Sequence, residues 1–192
     1  DCKEVAPDFH ARYSCTSKEY IYKIWNSEVR NPFLDGYALH YRYKIDENLL
    51  DKAAQAYVGR HDFTSFCTLD NREKGDMTRN VKAFSVTREG DLVTMKVEAD
   101  GFLYNMVRIM VGTLLRIQQG KIAPDEIPSI IEKKNRKYSG PTAQACGLYL
   151  NRVNYENDNS SQKGNGCYSK GLQNGNPRRI DFIDRQSRSD SR

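Results

Sequence analysis

"NVKAFSVTREGDLVTMKVEADGFLYNMVRIMVGTLL", residues Asn80 to Leu115, changes period halfway along. Val81, Ala83, Ser85 and Thr87 alternate with Lys82, Phe84 and Val86, which is the period of a strand. Glu89-Gly90-Asp91 supplies a turn, and Leu92 to Ala99 reads as the return strand of a hairpin. From Phe102 to Gln119 the apolar residues fall at helical spacing, and Gly120 closes what should be the longest helix. A hairpin followed directly by a helix, with no regular βαβ repetition elsewhere, predicts an α+β fold. Its antiparallel β-sheet should carry helices on one face.

Outward from this segment the same logic holds. "KEYIYKIWN", Lys18 to Asn26, alternates: Tyr20, Tyr22 and Ile24 point one way, Ile21, Lys23 and Trp25 the other. "NPFLDG", Asn31 to Gly36, is turn chemistry. "YALHYRYKI", Tyr37 to Ile45, is either a second strand or an extended connection. Asp46 is placed to cap a helix whose stripe is Leu49, Leu50, Ala53, Ala54 and Tyr57, with Gly59 ending it. A shorter helix is expected over Pro124 to Lys134, and "GLYLNRVNY", Gly147 to Tyr155, is a last strand. The globular pattern covers residues 1–155. Residues 156–192 are rich in Asn, Ser, Gly and Arg with few core formers, and they read as a disordered polar tail.

Composition narrows the functional classes. The chain has 192 residues and a net charge of +5, compatible with a polyanionic partner such as RNA. Five scattered cysteines without a CxxC pair, and three histidines far apart, argue against a disulfide framework or a zinc site. A reducing, cytoplasmic setting fits better. The most apolar run is broken by Arg108 and Arg116 and is too short to span a bilayer.

Arg108 is the residue that asks for a chemical explanation. It sits among Met106, Val107, Ile109, Met110 and Val111, and a helix stacks it with Tyr104, Val111, Gly112 and Leu115. A guanidinium keeps its charge, so burial calls for an anion. The alternative is a surface arginine whose stem covers apolar atoms. The apolar neighbourhood favours a buried head that needs an acid.

"PDFHARYSCTSKEYIYKIWN" (Pro7 to Asn26), "GRHDFTSF" (Gly59 to Phe66), "RNV" (Arg79 to Val81), "GFLYNMVRIMVGTLL" (Gly101 to Leu115) and "PTAQACGLYL" (Pro141 to Leu150) occur in that order. Together they resemble the second half of the tRNA pseudouridine synthase A (TruA) family, from about Pro7 to Tyr155. The resemblance implies isomerisation of uridine to pseudouridine in the anticodon stem-loop of tRNA, at positions thirty-eight to forty. It also implies a homodimer, no metal and no organic cofactor.

The family's roles carry over at matching positions. Tyr20 corresponds to the active-site tyrosine that stacks on the target uracil and is a candidate for removing the C5 proton. Arg108 corresponds to the basic partner of the catalytic aspartate. Gly147 and Leu148 correspond to the wall of the base pocket, although the pattern equally fits a glycine at a close approach and a leucine in a core strand. Arg12 and Arg79 are candidate phosphate contacts, with Lys18, Arg60, Arg72 and Lys74 as further ones. In "GRHDFTSF", Phe63, Thr64 and Phe66 read as packing, and His61 and Asp62 as a solvated loop.

One departure matters. The family's nucleophile is an aspartate in an arginine-threonine-aspartate motif, which lies in its first half and does not occur here. Asp62, Asp70 and Asp76 are in other contexts. The expectation is therefore the C-terminal half of a synthase, inactive alone, with an exposed strand edge and an Arg108 without its acid. The competing readings are a non-catalytic RNA-binding module on the same half-fold, and a plain scaffold whose aromatics only fill a core.

Overall fold

The computed structural model describes residues 4–68 and 75–155. Asp70, Arg72, Lys74 and the 156–192 tail lie outside the described residues. The chain order is β1 (Cys15–Trp25), β2 (Leu39–His40), α1 (Glu47–Ala54), β3 (Gly59–Asp62), β4 (Thr78–Glu89), β5 (Leu92–Ala99), α2 (Met106–Gln118), α3 (Ile127–Glu132) and β6 (Leu148–Tyr155).

These strands form a six-stranded sheet in the order β2-β1-β5-β4-β3, with β6 also pairing with β1. All pairings are antiparallel except the short parallel contact of Ile24 and Trp25 with Leu39 and His40. The α+β class expected from the sequence is therefore the class observed. One sheet face and the helices share a core containing Tyr22, Ile24, Phe84, Met95, Leu50, Ile109 and Ile130. On the other face Ala83, Thr87 and Lys96 are exposed.

Several elements differ from the periodicity. Val81 does not share a face with Ala83. A register shift between them in the pairing with β5 puts Val81, Phe84 and Val86 together in the core, as a bulge does by adding one residue to a strand. "YALHYRYKI" is mainly a connection, with only Leu39 and His40 in the sheet. Asp46 does cap α1, accepting a bond from the Leu49 N–H at 3.0 Å. The helix gives way at Gln55 to a single 3₁₀ turn, so Gly59 opens β3 rather than closing a helix. "GRHDFTSF" is thus strand and turn, not a loop, and Phe63 and Phe66 are fully buried as packing residues.

Helix α2 begins at Met106, not Phe102, because Asn105 has left-handed backbone angles (φ 61°) that cannot continue a helix. Ten residues of α2 are buried, so it is a central helix rather than a surface one. Gly112 shows why it can be central. A Cβ there would lie 1.7 Å from the Pro141 carbonyl oxygen, and one on Gly140 would lie 2.5 Å from the Gly112 oxygen. The two backbones meet with no room for a side chain. Buried Thr113 fastens the contact: its hydroxyl donates to the Ile109 carbonyl and accepts from the Gly140 N–H, both at 2.8 Å.

Replacing a helical glycine by alanine ordinarily stabilises by about 1 kcal/mol. Gly112→Ala should instead lose about 3 kcal/mol or more, the upper range of overpacking, since the obstacle is backbone. Chemical denaturation of the two proteins checks this, and a stabilised Gly112→Ala protein would contradict the close crossing.

Candidate active site

The segment that crosses α2 at Gly112 continues to Arg108. The Ala143 N–H donates to the Arg108 carbonyl at 3.0 Å, and Arg108 Nε donates to the Ala143 carbonyl at 2.7 Å. Arg108 Nη1 donates to Asn105 Oδ1 at 3.0 Å, and Asn105 Nδ2 donates in turn to Thr68 Oγ1 at 3.2 Å. The left-handed turn that delays α2 therefore supplies the acceptor that aims the guanidinium. The expectation of a buried head needs correcting: Arg108 is half-buried, because α2 leaves this position uncovered between the 140s segment and the turn before the helix. Its partners are neutral oxygens, and it has no ion pair among the described residues. Nη2 is left without a hydrogen bond there, open to an anion.

Tyr22, not singled out from the sequence, ties the site together. It is fully buried, and its hydroxyl donates to the Gln144 carbonyl at 2.6 Å. It pairs across strands with Leu148, and the Gln144 that it bonds is next in the chain to Ala143, which Arg108 bonds. A Cβ on Gly147 would lie 2.5 Å from the Lys23 carbonyl oxygen and 2.9 Å from the Tyr22 ring. Gly147 is therefore a close-approach residue, while half-buried Leu148 packs against the core from its edge. Arg108, Gly147 and Leu148 thus meet around Tyr22.

Tyr20 lies two residues before Tyr22 on the same face of β1. It pairs with Val97 on one side and Leu150 on the other. Its ring meets Phe102 edge-on, with centroids 5.1 Å apart. Burial raises the Tyr20 phenol above its usual value, and the nearby Arg12 charge partly opposes this. Arg12 is exposed and lies over the Tyr13 ring at 5.7 Å. Arg79 donates through Nη1 to the Asp76 and Thr78 carbonyls, and its stem lies against Gly101, next to Phe102. Both arginines thus flank the Tyr20 end of the site.

The described aspartates in question are occupied elsewhere. Burial tends to raise Asp62, but bonds from Thr64 and Lys134 outweigh it and hold its pKa below the usual value. Asp76 accepts from the Thr78 N–H at 2.8 Å, which lowers it. Among the described residues no cluster of His, Cys, Asp and Glu could hold a metal, and no helix is long and apolar enough to cross a membrane.

The site thus groups a half-buried aromatic on a strand, an arginine whose Nη2 is unbonded among the described residues, and a half-buried leucine. Residues 53–156 match the family described as tRNA pseudouridine synthase, and the chain belongs to that family. It is 44% identical over 155 residues to tRNA pseudouridine synthase A of Bacillus pumilus (strain SAFR-032), covering 81% of this chain and 62% of the relative. It is 41% identical over 157 residues to tRNA pseudouridine synthase A of Anoxybacillus flavithermus (strain DSM 21510 / WK1), covering 82% and 63%. With tRNA pseudouridine synthase A 2 of Bacillus anthracis it shares 41% identity over 153 residues, covering 80% and 62%. The chain therefore spans about three-fifths of the length of these curated relatives.

The tyrosines make the fold sensitive to alkali. Burial raises the phenols of Tyr20, Tyr22 and Tyr57 above the ordinary value of 10.0. The unfolded chain then releases these protons first, so stability is complete below about pH 10 and falls as pH rises further. Urea midpoints between about pH 9 and pH 11 should drop, and less so in Tyr22→Phe. An equal drop in both proteins would contradict the burial assigned to Tyr22.

Proposed function

We propose that this chain forms the base-handling part of a tRNA pseudouridine synthase active site. The substrate is uridine at positions thirty-eight to forty of the anticodon stem-loop, in a cytoplasmic homodimer. The observation that carries this reading is the grouping of Tyr20, Arg108 and Leu148 around Tyr22, with Arg108 Nη2 left open. The names of the relatives support the reaction and the tRNA substrate.

The isomerisation breaks the bond from N1 of uracil to C1′ of the ribose. It forms a bond from C5 to C1′, removes the proton from C5 and leaves one on N1. No electrons are gained or lost overall, so the reaction needs an ionised carboxylate, a way to hold the detached base and a route for one proton. Tyr20 offers its ring face, worth roughly 1–3 kcal/mol to an extruded base. Leu148 closes the apolar side. Arg108 presents Nη2 to a carboxylate, lowering its pKa and fixing its direction. That carboxylate is the aspartate of an arginine-threonine-aspartate motif outside these 192 residues. The outer edge of β6, which has no strand partner among the described residues, supports a sheet that continues into that part of the enzyme.

Tyr20 fits the stacking role better than the base role. A phenol held above its usual pKa is neutral at physiological pH, and only Arg12 pulls it the other way. In the complete enzyme, Tyr20→Phe should therefore keep tRNA binding, and its turnover measures how much the hydroxyl contributes. Normal turnover in Tyr20→Phe would leave stacking as the only role, whereas loss with intact binding would establish proton transfer. Arg108→Met should abolish tritium release from C5-labelled tRNA while leaving folding largely intact, and wild-type release would refute the pairing.

The 192-residue chain by itself should give no pseudouridine in an anticodon stem-loop by chemical mapping, and adding the aspartate-bearing segment in trans should restore it. A displaced catalytic group already costs about 10²-fold in rate, so a carboxylate from another loop is a poor substitute. Turnover by the chain alone would overturn the assignment of the nucleophile. Tight stem-loop binding that never yields product, even with the added segment, would favour a binding module.

A further inference from the structure

The stripe of α2 that carries Arg108 and Gly112 reaches Arg116 one turn later, on the far side of the backbone crossing. There Arg116, Lys121, Arg136 and Lys137 line a surface cavity of about 360 Å³ with Ser139 and Gly140, and among the described residues no acidic side chain lines it. We propose that this cavity binds a phosphate group, a phosphodiester of the RNA backbone, at a nucleotide other than the one held at Tyr20. The RNA source rests on the tRNA reading above.

The cavity is built, not a chance meeting of surface lysines. Arg136 is held by neutral acceptors: Nη1 donates to Ser139 Oγ at 2.9 Å and to the Gly140 carbonyl at 2.8 Å, and Nη2 to Thr142 Oγ1 at 3.3 Å. It has no ion pair among the described residues, and partial burial lowers its pKa, as for a cation short of a counter-ion. The loop around it is anchored to the core. The Asn135 N–H donates to the buried Ser65 hydroxyl at 2.8 Å, and Ser139 Oγ donates to the Ser65 carbonyl at 2.5 Å. The Gly140 N–H donates to buried Thr113.

A simpler explanation covers only half of this. Cations at the C-terminal end of a helix offset its dipole, which accounts for Arg116 in the last turn of α2 and for Lys121 just beyond it. It does not account for Arg136 and Lys137, which come from the segment after α3. Four cations from two elements, one fixed by core-anchored hydrogen bonds, make an oxyanion site. Eight residues separate Arg108 from Arg116, about 12 Å along the helix axis, which places the phosphate away from the reacting nucleotide.

The test uses the 192-residue chain and an anticodon stem-loop RNA, with affinity measured across a salt series. Arg116→Gln/Lys121→Gln/Lys137→Gln is compared with Arg42→Gln/Lys44→Gln/Lys52→Gln, an equal charge loss elsewhere. Arg136 is left in place because it holds the loop. Lys121→Gln/Lys137→Gln changes exposed side chains only and serves if the triple variant unfolds. The cavity variants should bind severalfold more weakly than the control. The slope of log affinity against log salt should fall by about 1, as expected when one phosphate is no longer neutralised. Equal losses in cavity and control variants would overturn the proposal. Titration with inorganic phosphate, followed by the Nε–H signals of Arg116 and Arg136, separates the sources. A phosphate response without RNA binding would sink the tRNA reading and the phosphodiester assignment while upholding the oxyanion site. No response to either probe would overturn both.

Discussion

The contact between the backbones of Gly112 and Gly140 is the constraint on which the site depends. No side chain fits on either residue, so the 139–143 segment lies directly against α2. Thr113 satisfies the buried Gly140 N–H there, which would otherwise be costly to leave without a partner. From that crossing the segment runs toward Arg108 in one direction and toward the cationic cavity in the other. Two arginines one turn either side of a glycine are thereby given different surroundings by one strip of chain.

Strand β1 is the second organising element. It pairs with β5 along one edge and with β6 and β2 along the other, so its residues are held on both sides. Tyr22, covered by the segment from Gln144 to Gly147, is fully buried. Tyr20, at the middle of β1 and paired with Val97 and Leu150, is only half-buried beside Phe102. Two tyrosines on one face of the same strand thus become a core residue and a half-buried one, by what lies over each of them.

Much of the fold was legible locally. The hairpin, the Asp46 cap and the buried α2 follow from alternation, turn residues and helical spacing in windows of a few residues, where backbone preference and burial agree. The errors arose where the backbone departs from its period. The bulge beside Val81 shifts a face, and the left-handed Asn105 delays a helix. Neither leaves a clear signal in the hydrophobic pattern, because the first is decided by pairing with β5 and the second is a backbone angle at a polar residue.

The site divides along the same line. The order of motifs by itself determined the family resemblance and singled out Tyr20, Arg108, Gly147 and Leu148, because residue type and spacing are properties of the chain. Only the tertiary structure decided that Arg108 is half-buried on neutral oxygens, that Tyr22 joins it to Leu148, and that Arg116 and Arg136 share a cavity. These depend on contacts between residues far apart in sequence, brought together by a backbone crossing that only glycine permits, and no local pattern encodes such a distance.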